Sequence, residues 1–241
     1  VRSLHPSVGL VPDEELAAVY GLPTGRVLRV NFVTSLDGAV AVDGRSGGLG
    51  SDGDLRVFRV LRALADAVLV GAGTAAAEGY RPLSADSPVG RLRSDLGRPA
   101  TAPVVVVSRR ASLSPDDQLA GAAQPTVLVT CAAADPERRA ALTAAGVHVL
   151  VCGEDDVDLP EALDQLAARG LEQVLCEGGP ALFAAALDAG VVDELCLTIA
   201  PALVGGGPQL LGGTALAEVA RPELVHVLTE DGSLFTRYRL A

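Results

Sequence analysis

The chain reads as an α/β protein: one mixed sheet, helices on both faces, and an antiparallel hairpin at the C-terminal end. Three observations carry that expectation. Apolar runs of strand length alternate with helical stretches from about residue 26 to residue 200, the pattern that lays strands side by side in parallel. Two of those runs end in glycine pairs followed at once by a helix start: Ala67 to Val70 into Gly71-Ala72-Gly73-Thr74, and Val174 to Cys176 into Glu177-Gly178-Gly179-Pro180. The last two apolar runs, Leu224 to Thr229 and Leu234 to Leu240, flank Glu230-Asp231-Gly232-Ser233, a hairpin turn sequence.

Composition bounds the rest. A length of 241 residues with 49% hydrophobic content suffices for a buried core in one domain. The net charge of -11 argues against nucleic acid and against an anionic membrane surface, since the long-range field repels both. With 3% aromatic residues there is little material for base-stacking platforms. Cys131, Cys152, Cys176 and Cys196 lack Cys-x-x-Cys spacing, so buried reduced thiols are expected and no metal site. The N-terminal stretch has no apolar signal core and no segment reaches the roughly 18 apolar residues of a membrane span, which points to a soluble cytoplasmic protein.

Taken in order, residues 1–25 read as an arm with one short helix, its first turn acidic at Asp13-Glu14-Glu15 and its stop at Gly21. The domain is expected over 26–241. Arg26 to Thr34 is the first strand, leading into Ser35-Leu36-Asp37-Gly38. A glycine-rich stretch from Asp43 to Gly53 fits a ligand-covering loop and a solvent loop equally. From Asp54 to Leu64, Leu55, Phe58, Leu61 and Leu64 recur at helical spacing. Gly71-x-Gly73-x-x-Ala76 fits a dinucleotide fingerprint, but Gly79 interrupts the helix that should follow, and Pro82, Pro88, Pro99 and Pro103 predict a long loop in its place. Strands follow over Ala102 to Val107 and Thr126 to Thr130. Asp135-Pro136-Glu137 caps a helix ended by Gly146, before the strand Val147 to Val151. Asp158 and Gly170 bracket the next helix, another ends near Gly190, and Asp193 to Ala200 is a strand running into Pro201 and Gly205-Gly206-Gly207.

The two glycine turns carry the chemistry. Gly71, Gly73, Gly178 and Gly179 let the backbone approach a ligand closely, and the free N–H groups at the following helix starts favour phosphate. Thr74 is expected to cap its helix or offer its hydroxyl to that phosphate, and Pro180 suits a first helical position. Paired, the turns suit the two ends of a dinucleotide's pyrophosphate; each taken alone is also an ordinary strand-to-helix connection. Asp37, Asp54 and Glu177 are the candidate catalytic carboxylates, for a proton or for a protonated ring nitrogen. Each has a structural alternative: Asp37 capping its loop, Asp54 capping its helix, Glu177 bracing its own turn. His5, His148 and His226 have no partner motif and read as surface or structural.

Five motifs in this order, Ser35-Leu36-Asp37-Gly38, Leu61-Arg62-Ala63-x-Ala65-Asp66-Ala67, Gly71-Ala72-Gly73-Thr74, Glu177-Gly178-Gly179-Pro180 and Ala200-Pro201-x-x-x-Gly205, resemble a known family. It is the C-terminal reductase domain of bifunctional riboflavin-biosynthesis deaminase-reductases, which has the dihydrofolate reductase fold. The resemblance covers nearly all of the chain after about residue 26 and implies an NADPH-dependent reductase. NADPH phosphates would lie at Gly71, Gly73 and Thr74 and at Glu177, Gly178, Gly179 and Pro180, with Ser108 and Arg109 at the adenosine 2′-phosphate. The implied substrate is a pyrimidine ribosylamine phosphate of the 5-amino-6-(5-phosphoribosylamino)uracil type, met by Asn31, Ser35, Asp54, Glu78, Tyr80 and Arg81. The family's basic residue is Asn31 here, and its Asp-Asp-Pro-x-Leu-Thr-x-Arg run reads Glu78-Gly79-Tyr80-Arg81-Pro82-Leu83.

Asp54-Leu55-x-x-Phe58 also resembles the start of the helix that carries the pterin-binding carboxylate of dihydrofolate reductases. A dihydrofolate or pterin reductase is therefore the alternative substrate reading, and a non-catalytic NADPH-binding homologue the alternative of another class. No His-x-Glu with a Pro-Cys-x-x-Cys partner occurs in the sequence, which implies a stand-alone reductase domain whose deaminase counterpart is absent or encoded elsewhere. The family pairs as homodimers, and the C-terminal hairpin is expected to form an antiparallel edge buried against a twin.

Overall fold

Valine- and leucine-rich runs with no polar alternation need cover on both faces, and the computed structural model, which describes residues 1–21, 24–121, 125–216 and 218–240, provides it. The strands are β1 (Arg2–His5), β2 (Gly9–Leu10), β3 (Val27–Thr34), β4 (Ala67–Gly71), β5 (Val104–Val107), β6 (Val127–Thr130), β7 (His148–Val151), β8 (Gln173–Cys176), β9 (Glu194–Ile199), β10 (Glu223–Glu230) and β11 (Ser233–Arg239). The helices are α1 (Leu16–Val19), α2 (Asp52–Leu64), α3 (Ala72–Glu78), α4 (Pro88–Asp95), α5 (Pro136–Ala144), α6 (Leu159–Ala167) and α7 (Pro180–Asp188). One sheet runs β2-β1-β10-β11-β9-β3-β8-β4-β5-β6-β7. It is parallel from β9 to β7 and antiparallel from β9 through β11, β10 and β1 to β2.

Successive strand residues point to opposite faces, so β4 sends Leu69 to one core and Val70 to another. On one face α6 and α7 bury Leu163, Leu166 and Phe183 against Leu28, Val30, Leu69 and Val129. On the other, α1 and α2 bury Leu16, Tyr20, Val57, Val60 and Leu61 against Leu175, Cys196, Leu228 and Phe235. Further along that face Ala75 of α3 and Leu142 of α5 pack on Val70, Val106 and Leu128. The four cysteines are buried and free, and burial pushes Cys176 up to about 12. Among the described residues no helix is long and apolar enough to cross a membrane, and no cluster of side chains suits a metal ion.

Four expectations need correction. Residues 1–25 contain the short helix, preceded by a 3-10 turn at Asp13–Glu15, but they begin with two strands: β1 pairs antiparallel with β10 and β2 with β1. These strands are mostly exposed and carry no hydrophobic alternation; the open edge of β10 supplies the pairing that the local sequence does not announce. For the same reason the C-terminal hairpin is not the sheet edge, because β1 and β2 cover it. The proline-studded segment after Gly79 contains α4, started by Ser87, whose hydroxyl accepts the Gly90 N–H at 3.0 Å, with proline at the helix start. Finally, α2 begins at Asp52 under a Ser51 cap, so Asp54 is not the capping residue. Its core face is rotated: Val57, Val60, Leu61 and Ala63 are buried, Leu55 is exposed and Phe58 faces a cavity. Ala241, the end of the expected domain, lies outside the described residues.

Candidate active site

A cavity of about 660 Å³ opens between α2, the end of β3, α3, the segment 79–89 and the turn that starts α7. Three residues of α2, Asp54, Phe58 and Arg62, follow one another at a spacing of four and so lie on one side of the helix, facing this space. Opposite them, α3 is short because Gly79 takes a left-handed conformation (φ 68°), which turns the chain and lays Tyr80 and Arg81 along the wall. Asn31, Gly73, Thr74, Glu78, Glu177, Gly179 and Pro180 complete the parts expected from the sequence.

At its centre is a charged cluster. Arg62 donates from Nε to Glu177 Oε1 and from Nη2 to Glu177 Oε2, both at 2.7 Å, and the Tyr80 hydroxyl donates to the same Oε2. The guanidinium lies 4.3 Å over the Phe58 ring and 5.4 Å from the Tyr80 ring centroid. Burial by itself lowers the Arg62 pKa, and the Glu177 charge and hydrogen bonds more than reverse this, so the Arg62 guanidinium stays charged. Burial, then Glu177, push the Tyr80 phenol well above its ordinary value, which keeps it a donor. Both carboxylate oxygens of Glu177 are thereby occupied. Asp54 is the freer acid: burial raises its pKa above the ordinary carboxylate value, with the Thr198 hydroxyl offsetting part of the rise.

The two glycine turns meet beside this cluster. Gly71 N–H donates to Gly178 O at 2.7 Å, and Glu177 N–H donates to Leu69 O at 2.9 Å. A Cβ on Gly178, where φ is 83°, would fall 2.5 Å from the Phe32 ring, and one on Gly179 would press on Thr74 Oγ1. Gly73 faces open space, and Gly71 leaves ordinary contact distance, 3.7 Å, for a Cβ, so close approach is required at the second turn and not at Gly71. Thr74 lies within α3, whose N-cap is Gly71, and does not cap it. α2, α4, α5 and α6 have Ser51, Ser87, Asp135 and Asp158 as side-chain caps; α1, which continues a 3-10 turn, has none, and beside the cavity α3 and α7 begin on Gly71 and Gly179 with none. Their first N–H groups are left for an acceptor from outside the helix.

Other sequence candidates lie apart from the cavity or are held by other partners. Asp37 accepts from Ser35 Oγ at 2.7 Å, Val204 N at 3.0 Å and Gly205 N at 2.7 Å, which hold its carboxyl down at about 2. It pins the loop after β3 to the loop after β9, so the proton-donor expectation for it does not hold. Ser35, whose Oγ also accepts Ala39 N–H at 2.9 Å, lines a separate shallow groove with Leu210 and Thr214. Glu78 borders the cavity, but its Oε1 accepts the Ser46 N–H at 2.7 Å. Gly71 pairs with Val107 across β4 and β5, so Ser108 and the exposed Arg109 emerge beside the first glycine turn. The Ser108 hydroxyl is bonded to Ser112 Oγ at 2.8 Å and accepts Ser112 N–H at 2.9 Å. His5 and His148 are exposed, while His226 is buried edge-on against Tyr20.

Sequence reasoning missed the roles of Arg62 and Phe58. The signal was present: a carboxylate, an aromatic and an arginine at positions 54, 58 and 62 form a stripe beside the apolar stripe of α2, with charge at both ends.

Comparison with known proteins gives a consistent result. The RibD C-terminal domain pattern matches residues 26–234. The 2,5-diamino-6-ribosylamino-4(3H)-pyrimidinone 5′-phosphate reductase of Methanothermobacter thermautotrophicus is 33% identical over 215 residues, 87% of this chain and 95% of that protein. A pyrimidine reductase-like protein of Corynebacterium diphtheriae superposes with a TM-score of 0.83 at 29% identity, over 96% of this chain and 99% of that one. Dihydrofolate reductase from Enterococcus faecalis shares the fold at a TM-score of 0.50 and 13% identity, over 88% of this chain and 95% of that one. With a matched region that spans both glycine turns and every wall of the cavity, the chain belongs to the RibD C-terminal domain family and is an oxidoreductase on the dihydrofolate reductase fold.

Proposed function

We propose that this chain is the NADPH-dependent reductase of a ribosylaminopyrimidine 5′-phosphate in riboflavin biosynthesis. The observation that carries the reading is the junction of the two glycine turns, Gly71 N–H to Gly178 O, at the wall of a cavity that also holds Asp54 and the Arg62–Glu177–Tyr80 cluster. The chain fits the cofactor by three features: two uncapped helix starts, the open space over Gly73, and Arg109 beside the first turn. Bound NADPH supplies a hydride from its nicotinamide ring. The residues do the rest. Uncapped N–H groups of α3 and α7 would hold the pyrophosphate, and the Arg109 guanidinium would suit a 2′-phosphate, giving a preference for NADPH over NADH. Asp54, with its raised pKa, either pairs with a ring N–H of the heterocycle or holds the proton it needs, and Asn31 offers both donor and acceptor to its edge. Glu177 keeps Arg62 and Tyr80 in place and touches no reacting atom.

Anaerobic mixing of the protein with NADPH and the diaminopyrimidinone ribosylamine phosphate, or its uracil counterpart, should bleach the nicotinamide absorbance with at least one of them. Gly73→Val should stay folded, because nothing lies within 4 Å of the new Cβ, and should lose NADPH binding; unchanged affinity would remove the phosphates from the first turn. A second reading, reduction of a dihydropterin, is favoured by one observation: Asp54 and Phe58 both face the cavity. Consumption of dihydrofolate with neither pyrimidine consumed would select it. A homodimer and a cytoplasmic location are proposed from family resemblance alone. Light scattering at twice the chain mass supports the first, and a monomer removes it.

A further inference from the structure

Residues 43–48 are mostly exposed and contribute Gly44 and Ser46 to the lining of the cavity. The segment is anchored at both ends. Before it, Val40 N–H donates to Pro208 O at 2.9 Å; after it, Leu49 is buried. Between those anchors its hydrogen bonds are local, Val42 and Arg45 exchanging two at 2.9 and 3.0 Å and Leu49 N–H donating to Ser46 O at 2.9 Å. Among the described residues one hydrogen bond alone ties 43–48 to another element, the Ser46 N–H to Glu78 Oε1 at 2.7 Å. Glu78 is the last residue of α3, and Gly79 turns the chain away directly after it. Gly44, Gly47 and Gly48 give the strap many open conformations and few contacts of its own, so a single charge-assisted bond has large leverage on its position.

We propose that Glu78 is a positioning residue: it latches the 43–48 strap across the cavity and so sets how fast ligand enters and leaves, without touching the substrate. The part concerning turnover rests on the cavity being the substrate site; the latch itself does not. Loss of one hydrogen bond to a charged acceptor at a half-buried site should shift strap opening by about tenfold.

The test compares Glu78→Ala with Glu78→Gln, whose amide oxygen still accepts the Ser46 N–H. In the ligand-free protein, tryptic cleavage after the exposed Arg45, read as the 1–45 fragment by mass spectrometry, should rise about tenfold in Glu78→Ala, with Ser46 amide exchange rising in step. Glu78→Gln should return both most of the way to the parent. In turnover, Glu78→Ala should raise KM with kcat maintained or increased, and Glu78→Gln should restore KM. Parent-like cleavage and exchange in Glu78→Ala would overturn the latch, and equal loss of turnover in both variants would return Glu78 to direct substrate contact. A parent that reduces none of the candidate substrates fails the proposed function while the cleavage and exchange measurements still decide the latch.

Discussion

Two arginine–carboxylate clusters in this molecule use the same chemistry for opposite ends. In the first, Glu194 of β9 accepts Arg29 Nε at 2.8 Å and Nη2 at 2.6 Å on one oxygen, and Arg237 of β11 on the other. Further donors go to backbone carbonyls at the end of α1: Arg29 Nη1 to Tyr20 O at 2.7 Å, Arg237 Nη1 to Val19 O and Nη2 to Gly21 O, both at 3.2 Å, while Arg237 Nε has no partner among the described residues. These donors bind neighbouring strands and the N-terminal segment into one body. In the second, Arg62 and Glu177 are bonded as tightly, but the guanidinium lies under aromatic faces on a cavity wall. The Arg62 side chain keeps 22% of its surface accessible, against 3% for Arg29. On the proposed function, the pair whose arginine keeps surface toward the cavity serves the site, and the pair whose arginine is buried serves the fold.

The sharpest way to break that distinction is to remove the acid from each. Glu194→Gln leaves two buried guanidinium groups without a counter-charge, and a broken buried pair costs about 3–5 kcal/mol. Denaturant unfolding should show that loss, while kcat per folded molecule changes by less than about twofold, a margin well inside 1 kcal/mol of transition-state effect. Burial alone raises the Glu194 pKa, and Arg237 and Arg29 bring it below its ordinary value. Its stabilising contribution is therefore present above the ordinary carboxylate range and lost as the pH falls below it.

Glu177→Gln should do the reverse. Arg62 can take up water from the cavity, so unfolding free energy should fall by only about 1–2 kcal/mol, the cost of imperfect hydrogen bonding at a partly accessible site. Turnover should drop by about a hundredfold, because Arg62 and Tyr80 lose the group that orients them and small displacements at a reacting centre cost that much. A Glu177→Gln protein with parent-like turnover would make both clusters structural.

The fold was largely legible because it rests on patterns local in sequence: strand–glycine–helix steps, helix starts with an aspartate cap at 135 and 158 and a proline in the first turn, and a two-residue turn at Asp231-Gly232. What escaped was set by partners distant in the chain. Arg2–His5 is a strand only because β10 offers an edge, and Phe58 leaves the core only because the cavity lies on that side of α2. Within the candidate site the glycine turns and Glu177 were readable as motifs, since a turn needs particular residues at adjacent positions. The partner of Glu177 was not, as Arg62 lies 115 residues away and nothing local marks that pairing. The same limit hid the duties of Asp37 and Glu78, whose carboxylates are taken by backbone N–H groups of remote loops.

The comparison can also be sharpened through pH, using the histidine built into the structural cluster. His226 packs edge-on against Tyr20 with ring centroids 4.7 Å apart, and the Nε2 has no hydrogen-bond partner among the described residues. Burial first, and then the positive charges of Arg237 and Arg29, lower its pKa from 6.5 to about 4. The unfolded chain binds a proton on this residue near pH 6.5, whereas the folded chain resists until about pH 4. Between those values the unfolded state holds more protons, so stability must fall as the pH falls, and it levels off with respect to this group once the folded form is protonated too. The full effect is at most about 3–4 kcal/mol, at 1.36 kcal/mol per pKa unit between 6.5 and about 4, and is no larger than that of removing Glu194. Denaturation midpoints measured from pH 7.5 to pH 4 should show this slope in the parent and lose it in His226→Leu. The kcat of folded protein over the same range should instead follow the cavity acid, Asp54, and be unaffected by the His226 change. A stability slope that survives in His226→Leu would assign the acid sensitivity to another group, and a pH–rate profile altered by that substitution would join the two clusters into one functional unit.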